Sequence, residues 1–369
     1  MIILEFITQF LTEGARIDHP EDLVFSEGSA GATRALKALL EIPKRTDQVT
    51  IKWDGFPALV FGRNVDGQLV VADKHMFTKS DGSGRVTSLN AFIQYDVNRG
   101  ANRGDLYEKL RILWPALEQA VPKGAQGYYW GDLMWVGQLK PQQGSYVFKP
   151  NTVTYRIPAN SAMGKRIGNC VAGIAVHSYF SDFDSGAQPL NGHGQLNDQG
   201  PLCILTSQIP DKVAVKEPVQ LVKSAQTAIS RYGTAVDAML DPISLAQYKI
   251  KDLGALMQKY VNARVRGETR SFTDWLPTSV TANKLNTLLG ENGYLHQHKQ
   301  GLEGAFSMFQ TIMNLKDNLV KQLDSQQKTV QASVGSAPGG EGYVFNTSQG
   351  TIKMVNRASF SAANFASNG

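Results

Sequence analysis

The chain contains few cysteines and no long hydrophobic run. Cys170 and Cys203 are the only cysteines among its 369 residues, and they form neither a metal-binding spacing nor a disulfide framework. We therefore expect a reducing compartment. No run approaches the roughly 20 apolar residues of a membrane-spanning helix. The apolar opening at residues 1–11 contains Glu5 and has no basic residue before it, so it predicts a buried helix rather than a signal peptide. A soluble, cytoplasmic protein without a membrane partner is expected.

Internal repeats and long heptad runs are also missing, which argues against a solenoid and a coiled coil. The sequence does have a 42% share of hydrophobic residues, enough for a full core. Its length predicts two domains, or one domain with a large insertion. The formal net charge of +5 and the pI of about 9.0 suit a phosphate-rich partner without requiring one.

Residues 49–63 place a lysine and an aspartate between two apolar runs. Val-Thr-Ile before Lys52 and Leu-Val-Phe after Pro57 are typical of strands, and Gly-Phe-Pro predicts a turn between them. Lys52 is therefore expected near a strand end. A lysine that loses solvation there has a lowered pKa, and its free amine is a nucleophile. The alternative is a surface lysine at a hairpin.

Two further strands carry charged residues. Asp66-Gly67 predicts a tight hairpin into residues 68–72, a strand that ends at Lys74. The aromatic stretch 127–135 contains one charge, Asp132. A carboxylate amid apolar surface needs a cation, metal or hydroxyl partner, unless it bonds a neighbouring turn. Strands are also expected at 145–148, 152–157 and 170–180.

From about 216 to 325 the apolar residues recur at helical spacing, and the pattern becomes β-like again at 341–357. The sequence thus predicts an α+β fold of mainly antiparallel sheets. We expect a core formed by residues 1–210 and 331–369, and a helical insertion at residues 211–330.

Four charged residues at predicted strand ends carry a family resemblance. They are Lys52, Asp132, Glu341 and Lys353. Their sequence contexts are Lys-x-Asp-Gly at 52–55, aromatic-Gly-acid at 130–132, Glu-Gly-aromatic-Val at 341–344 and Ile-Lys at 352–353. In this order the motifs resemble the covalent nucleotidyltransferase superfamily, which includes ATP-dependent DNA and RNA ligases and mRNA capping enzymes. The resemblance implies an adenylation domain in the core, with ATP and Mg²⁺ as cofactors.

The resemblance also implies roles for the residues of the first and last motifs. Lys52 would attack the α-phosphorus of ATP and form a covalent lysine-AMP. Asp54 and Gly55 would shape the turn behind this nucleophile. Lys353 would contact the α-phosphate and stabilise the charge that develops there.

Other positions would bind the metal and the nucleotide. Glu341 would hold Mg²⁺, and Asp132 would lie near the ribose or the metal. Lys74 would meet the ribose or the phosphates. His177 lies on residues 173–180, a strand similar to the one that lines the adenine pocket of the family; the alternative is a hydrogen-bonded core histidine.

Three features depart from DNA ligases. Pro57 stands where those enzymes usually have arginine, and Val355 stands where a second lysine is common; Arg357 could replace that lysine only through a bulge or a register change. The chain ends 16 residues after Lys353, so no C-terminal OB-fold is expected. Pro57 and the missing OB-fold favour an RNA-ligase-like enzyme, in which the AMP passes from Lys52 to a 5′-phosphate before sealing. Val355 instead favours a protein that does not seal.

The expected partners are 5′-phosphate ends of RNA or DNA, docked by the helical insertion through its basic residues (Arg264, Arg266, Arg270 and Lys284). A monomer is expected, and a small ligase with an insertion fits a phage source. Two alternatives stay open. The protein could bind nucleic acid or adenylylate another acceptor without sealing, or it could be a structural protein with coincidental motifs.

Overall fold

The computed structural model describes residues 19–190, 192–357 and 360. The helix predicted at residues 1–11 lies outside this part of the chain. The α-helices are α1 (Leu23–Glu41), α2 (Lys74–Phe77), α3 (Leu89–Asn98), α4 (Gly104–Ala120), α5 (Ala162–Ile167), α6 (Val219–Leu240), α7 (Pro242–Gln247), α8 (Leu253–Val265), α9 (Phe272–Trp275), α10 (Ala282–Leu289), α11 (Tyr294–Gln297) and α12 (Lys299–Asp324). Short 3₁₀ helices cover Pro20–Asp22, Ile42–Lys44, Thr46–Gln48 and Leu276–Thr278.

The strands are β1 (Val49–Ile51), β2 (Ala58–Arg63), β3 (Leu69–Asp73), β4 (Tyr128–Val136), β5 (Ser145–Phe148), β6 (Val153–Pro158), β7 (Ala172–Phe180), β8 (Gln188–Pro189), β9 (Leu202–Thr206), β10 (Gln331–Val334), β11 (Ala337–Pro338), β12 (Tyr343–Thr347) and β13 (Gly350–Met354). Helices and mainly antiparallel sheets together confirm the α+β class. Within the described residues no helix is long and apolar enough to cross a membrane.

The chain divides into two compact units. The described residues of the first unit are Thr50–Asp211 and Gln327–Glu341. The second unit contains the described residues of Ile17–Val49, Lys212–Gln326 and Gly342–Gly369.

The first unit is organised by a sheet in the order β3-β2-β4-β7-β8, in which β9 pairs in parallel with β7. Residues 64–67 form the predicted hairpin, with Gly67 at a φ of +73°, a conformation that glycine adopts at little cost. The strands β2 and β3 are buried almost throughout, and the leucines of the amphipathic helix α4 belong to the same core. The core of this unit therefore holds β4, the strand of Asp132, in a fixed place.

A second sheet in the first unit has the order β11-β10-β6-β5. Its strand β10 comes from nearly 180 residues downstream of β6, yet Gln331–Val334 pair with Arg156–Val153 in antiparallel register. This pairing ties the segment that ends at Glu341 to the same unit as Lys52.

The second unit is built on long helices. Helix α12 packs on α6 and α1, and its glycines allow a close approach, since a methyl group at Gly301 would lie 2.5 Å from the Ala235 carbonyl oxygen. The helical block predicted at 211–330 corresponds to α6 through α12.

The observed division differs from the predicted one in two segments. Helix α1 and the β12–β13 hairpin, expected in the core, belong to the unit of the helical block. The reason is tertiary packing: the apolar face of α1 is buried and packs on α6 and α12, and the Tyr343 hydroxyl on β12 donates to Asp324 Oδ1 at 2.5 Å.

Candidate active site

Lys52 follows directly after β1 and makes an ion pair with Glu341, although 289 residues separate them in the chain. Both belong to the first unit. The side chain of Lys52 is 35% exposed and that of Glu341 only 13%. The lysine amine is thus held by a specific carboxylate at a place that a small ligand can still reach.

The turn after Lys52 is anchored to the start of β6. The Asp54 carboxylate is buried and accepts hydrogen bonds from Asn151 Nδ2 at 2.9 Å and from the backbone N–H groups of Thr152 and Val153 at 2.7 Å each. The N–H of Asp54 donates to the Tyr155 hydroxyl at 2.7 Å. Such bonds to a charged acceptor are among the stronger ones in proteins. Asp54 therefore fixes the backbone that presents Lys52.

Gly55 lets this turn lie directly against β4. A methyl group at Gly55 would lie 2.8 Å from Met134 Sδ and closer still to Asp132 Cβ. The adjoining backbone is bound to the same strand, because Phe56 N–H donates to the Leu133 carbonyl and Leu133 N–H donates to the Pro57 carbonyl, both at 3.0 Å. The absence of a side chain at Gly55 brings Lys52 and Asp132 together.

Asp132 shares this space with Lys52 and two other carboxylates. Burial raises the pKa of Asp132 to about 7; the charge of Lys52 lowers it, and Glu341 and Asp54 raise it. Its Oδ2 lies 3.7 Å from His177 Nε2. Burial, aided by Lys52, lowers the pKa of His177 to about 4, so this imidazole is neutral at pH 7.

An aromatic surface continues from His177. Its ring centroid lies 5.2 Å from that of Trp130, and Lys74 Nζ lies 5.1 Å from the Trp130 centroid, within cation–π range. Within the described chain, the buried Trp130 Nε1 has no hydrogen-bond partner. The surface offers ring faces, a donor and a cation, which are groups that recognise a nucleotide.

Lys353 and Arg357 lie in the second unit. Lys353 is on β13, opposite Val344 of β12. Arg357 is buried and forms ion pairs with Asp22 and with Glu21, its Nε 3.0 Å from Glu21 Oε1. Arg357 is therefore committed within the second unit and does not replace the second lysine that is missing at Val355.

The structure thus groups most of the sequence-predicted residues in the first unit, and Lys353 lies in the other. The grouped residues are Lys52, Asp54, Gly55, Lys74, Asp132, His177 and Glu341. Sequence reasoning missed Tyr155 and Trp130 as parts of the site. No sequence signal pointed to Tyr155, because its role depends on a hydrogen bond between its hydroxyl and the N–H of Asp54, 101 residues away in the chain. Trp130 did have a signal, since it is the aromatic residue of the aromatic-Gly-acid motif.

The donor set fits Mg²⁺. Asp132 and Glu341 supply two carboxylates, and Glu341 adds to the burial that raises the pKa of Asp132. Mg²⁺ is usually held by one or two carboxylates and completes its shell with water and substrate phosphates. No group of three or more His, Cys, Asp or Glu residues that could hold a metal occurs in the described ranges.

Comparison with known proteins adds a family but no activity. No curated protein and no solved structure matches the chain. The model of a protein family described as a family of unknown function (DUF6267) matches residues 15–368. Since this match covers nearly the whole sequence, the chain belongs to the DUF6267 family.

Proposed function

We propose that the protein is an ATP-dependent polynucleotide ligase of the RNA-ligase type, with a nucleotidyltransferase core in which Lys52 carries the AMP. The observation that carries this proposal is the ion pair of Lys52 with Glu341 beside Asp132, formed by three motifs far apart in sequence. Two carboxylates and a lysine in one unit are the groups that adenylyl transfer needs.

In the first step the neutral amine of Lys52 attacks the α-phosphorus of ATP. A phosphorus–nitrogen bond forms, the bond from the α-phosphorus to the bridging oxygen breaks, and pyrophosphate leaves while the amine proton passes to solvent. The ion pair of Lys52 with Glu341 must open before the amine can reach the phosphorus. Mg²⁺ at Asp132 and Glu341 would supply charge neutralisation on the phosphates.

In the later steps the AMP moves to nucleic acid. An oxygen of a 5′-phosphate attacks the lysine-bound phosphorus, the phosphorus–nitrogen bond breaks, and an adenylylated end forms. A 3′-hydroxyl then attacks the 5′-phosphate and expels AMP, which leaves a phosphodiester bond. Preorganised positive groups stabilise the charge that builds up in such displacements. The contact of Lys353 with the α-phosphate stays a prediction.

The nucleotide would lie on the aromatic surface. The neutral His177 and the Trp130 ring offer apolar faces for a base, while Lys74 supplies a positive charge at the edge. Because His177 is uncharged at pH 7, its ring can stack on an uncharged base without placing a second buried positive charge beside Lys52.

The test is self-labelling. We expect wild-type protein with Mg²⁺ to retain label from α-labelled ATP but none from γ-labelled ATP, and Lys52→Ala to retain neither. Lys149→Ala, at an exposed lysine of the same unit, is the matched control and should label fully. Absence of label in the wild type, or full labelling of Lys52→Ala, would refute the proposal.

A second candidate, adenylyl transfer to another acceptor without sealing, is favoured by one observation. Val355 stands where the second lysine is common, and Arg357 is taken up by Asp22 and Glu21. Labelled protein chased with 5′-phosphorylated RNA and DNA decides between the two. Release of sealed product supports the ligase, whereas label that never leaves for any 5′-phosphate supports the other acceptor.

A further inference from the structure

Phe56 is a solvent-exposed aromatic ring in the turn that carries the proposed nucleophile. Its residue is 66% exposed. The other large hydrophobic residues exposed in the described part of the chain are all aliphatic: Val65, Val97, Ile112, Val219 and Ile243. The fold gains little from a ring left in water, since the hydrophobic contribution depends on removing apolar surface from it.

The ring stands on a rigid base. Backbone hydrogen bonds at 3.0 Å join Phe56 and Pro57 to Leu133 of β4, and Gly55 is packed against Asp132. Asp54, one residue further back, is anchored to the start of β6. A ligand that contacts the ring therefore has little backbone order to create on binding, which favours affinity.

The position of the ring indicates which ligand it meets. Phe56 is four residues from Lys52, so their Cα atoms lie within about 14 Å even if the chain were fully extended. The surface suited to the ATP base is a different one, formed by the half-buried His177 and Trp130. An exposed ring this close to Lys52 along the chain is accessible to the second substrate.

We propose that Phe56 stacks on the base of the nucleotide that bears the accepting 5′-phosphate. Every nucleobase has a π-face, so aromatic stacking binds single-stranded ends with little sequence preference. This inference rests on the proposed function and adds to it a named contact with the acceptor.

The test uses single-stranded RNA with a 5′-phosphate and 2-aminopurine as its first base, a probe whose fluorescence falls when the base stacks. We expect wild-type protein and Phe56→Trp to quench the probe. Phe56→Ala should lose this quenching and bind about tenfold more weakly. Val65→Ala, which changes an exposed apolar residue of the same unit, should behave as wild type.

Equal quenching and affinity for Phe56→Ala and wild type would overturn the inference, as would equal losses in Val65→Ala. A wild type that does not bind the probe would also overturn it. If Phe56→Ala impaired only the labelling of Lys52 by ATP, the ring would serve ATP instead, again contradicting the inference. Because binding is read without catalysis, failure of Lys52 labelling in the wild type refutes the ligase proposal separately.

Discussion

At the scale of single residues, the site is a group of charges that compete within a small volume. Glu341 pairs with Lys52, and the charges of Lys52, Glu341 and Asp54 all act on the pKa of Asp132. Burial and the neighbouring carboxylates favour the protonated form of Asp132, and only Lys52 opposes them. Such a balance is typical of sites that bind a cation or perform chemistry.

The raised pKa of Asp132 predicts a pH-dependent stability. Because its pKa is higher in the folded state than in the unfolded one, the stabilisation it provides is complete at low pH and is lost as the pH rises through about 7. Asparagine does not titrate, so the variant Asp132→Asn lacks this loss. In metal-free urea unfolding, the free energy of unfolding of Asp132→Asn minus that of wild type should increase by on the order of 2 kcal/mol from pH 5 to pH 8. A pH-independent difference between Asp132→Asn and wild type would contradict the prediction.

A substitution at Gly55 tests whether the turn after Lys52 packs directly against β4. In Gly55→Ala the new methyl group would overlap Asp132 Cβ and crowd Met134 Sδ, and overpacking of this kind costs about 1–3 kcal/mol. We expect that loss in the free energy of unfolding in urea, together with weaker labelling of Lys52. Gly124→Ala is the control, since nothing lies within 4 Å of its added methyl group; wild-type stability of Gly55→Ala would contradict the packing.

At the scale of elements, buried ion pairs connect segments of the second unit. Lys316 of α12 and Glu21 of the 3₁₀ helix Pro20–Asp22 are both fully buried, with 2.5 Å between Nζ and Oε1. Arg357, after β13, joins the same group through Glu21 and Asp22. Burial raises the pKa of Asp22 in spite of Arg357. The group links three segments that are distant in sequence.

Removing one charged partner from this group should lower the free energy of unfolding. Lys316→Met takes one of the two basic partners, Lys316 and Arg357, from the buried carboxylate of Glu21, and removal of one partner of a buried pair costs about 3–5 kcal/mol. Adding Glu21→Gln to Lys316→Met should recover part of the loss, because the carboxylate that lost Lys316 is then no longer charged. A double-mutant cycle in urea unfolding measures the coupling; additive losses would show that the two side chains do not interact.

Elements with a local signal could be predicted from sequence. The Asp66-Gly67 hairpin, the aromatic strand β4 and the helices between Val219 and Asp324 all have their own turn residues or periodicity. The sequence could not predict that α1 and the β12–β13 hairpin belong to the helical unit. That membership depends on contacts such as the one between Arg357 and Asp22, which are 335 residues apart. Motif order indicated Lys52 and Glu341, whereas Tyr155 and Phe56 required the three-dimensional arrangement.

At the scale of the whole molecule, positive charge is concentrated in one segment. Residues 249–299 contain eight Lys and Arg against four Asp and Glu, a net +4 of the chain's +5. Arg264 and Arg266, at the end of α8, are exposed. Their exposure makes Arg264 and Arg266 candidates for phosphate contacts.

We predict that replacing Arg264 and Arg266 by alanine weakens oligonucleotide binding for all sequences alike. Each lost phosphate contact should reduce the slope of log affinity against log salt concentration by about 1. Fluorescence anisotropy at several salt concentrations measures both effects. Lys223→Ala with Lys321→Ala, exposed positions on α6 and α12 of the same unit, is the control, and an equal decrease there would indicate only a general charge effect.

The most direct measurement for the proposed chemistry is peptide mapping by mass spectrometry after incubation with ATP and Mg²⁺. We expect one AMP, bound through an acid-labile phosphorus–nitrogen bond, on the peptide that contains Lys52, with release when pyrophosphate is added. AMP on a different residue, or a chain without AMP after incubation, would contradict the assignment of Lys52 as the nucleophile.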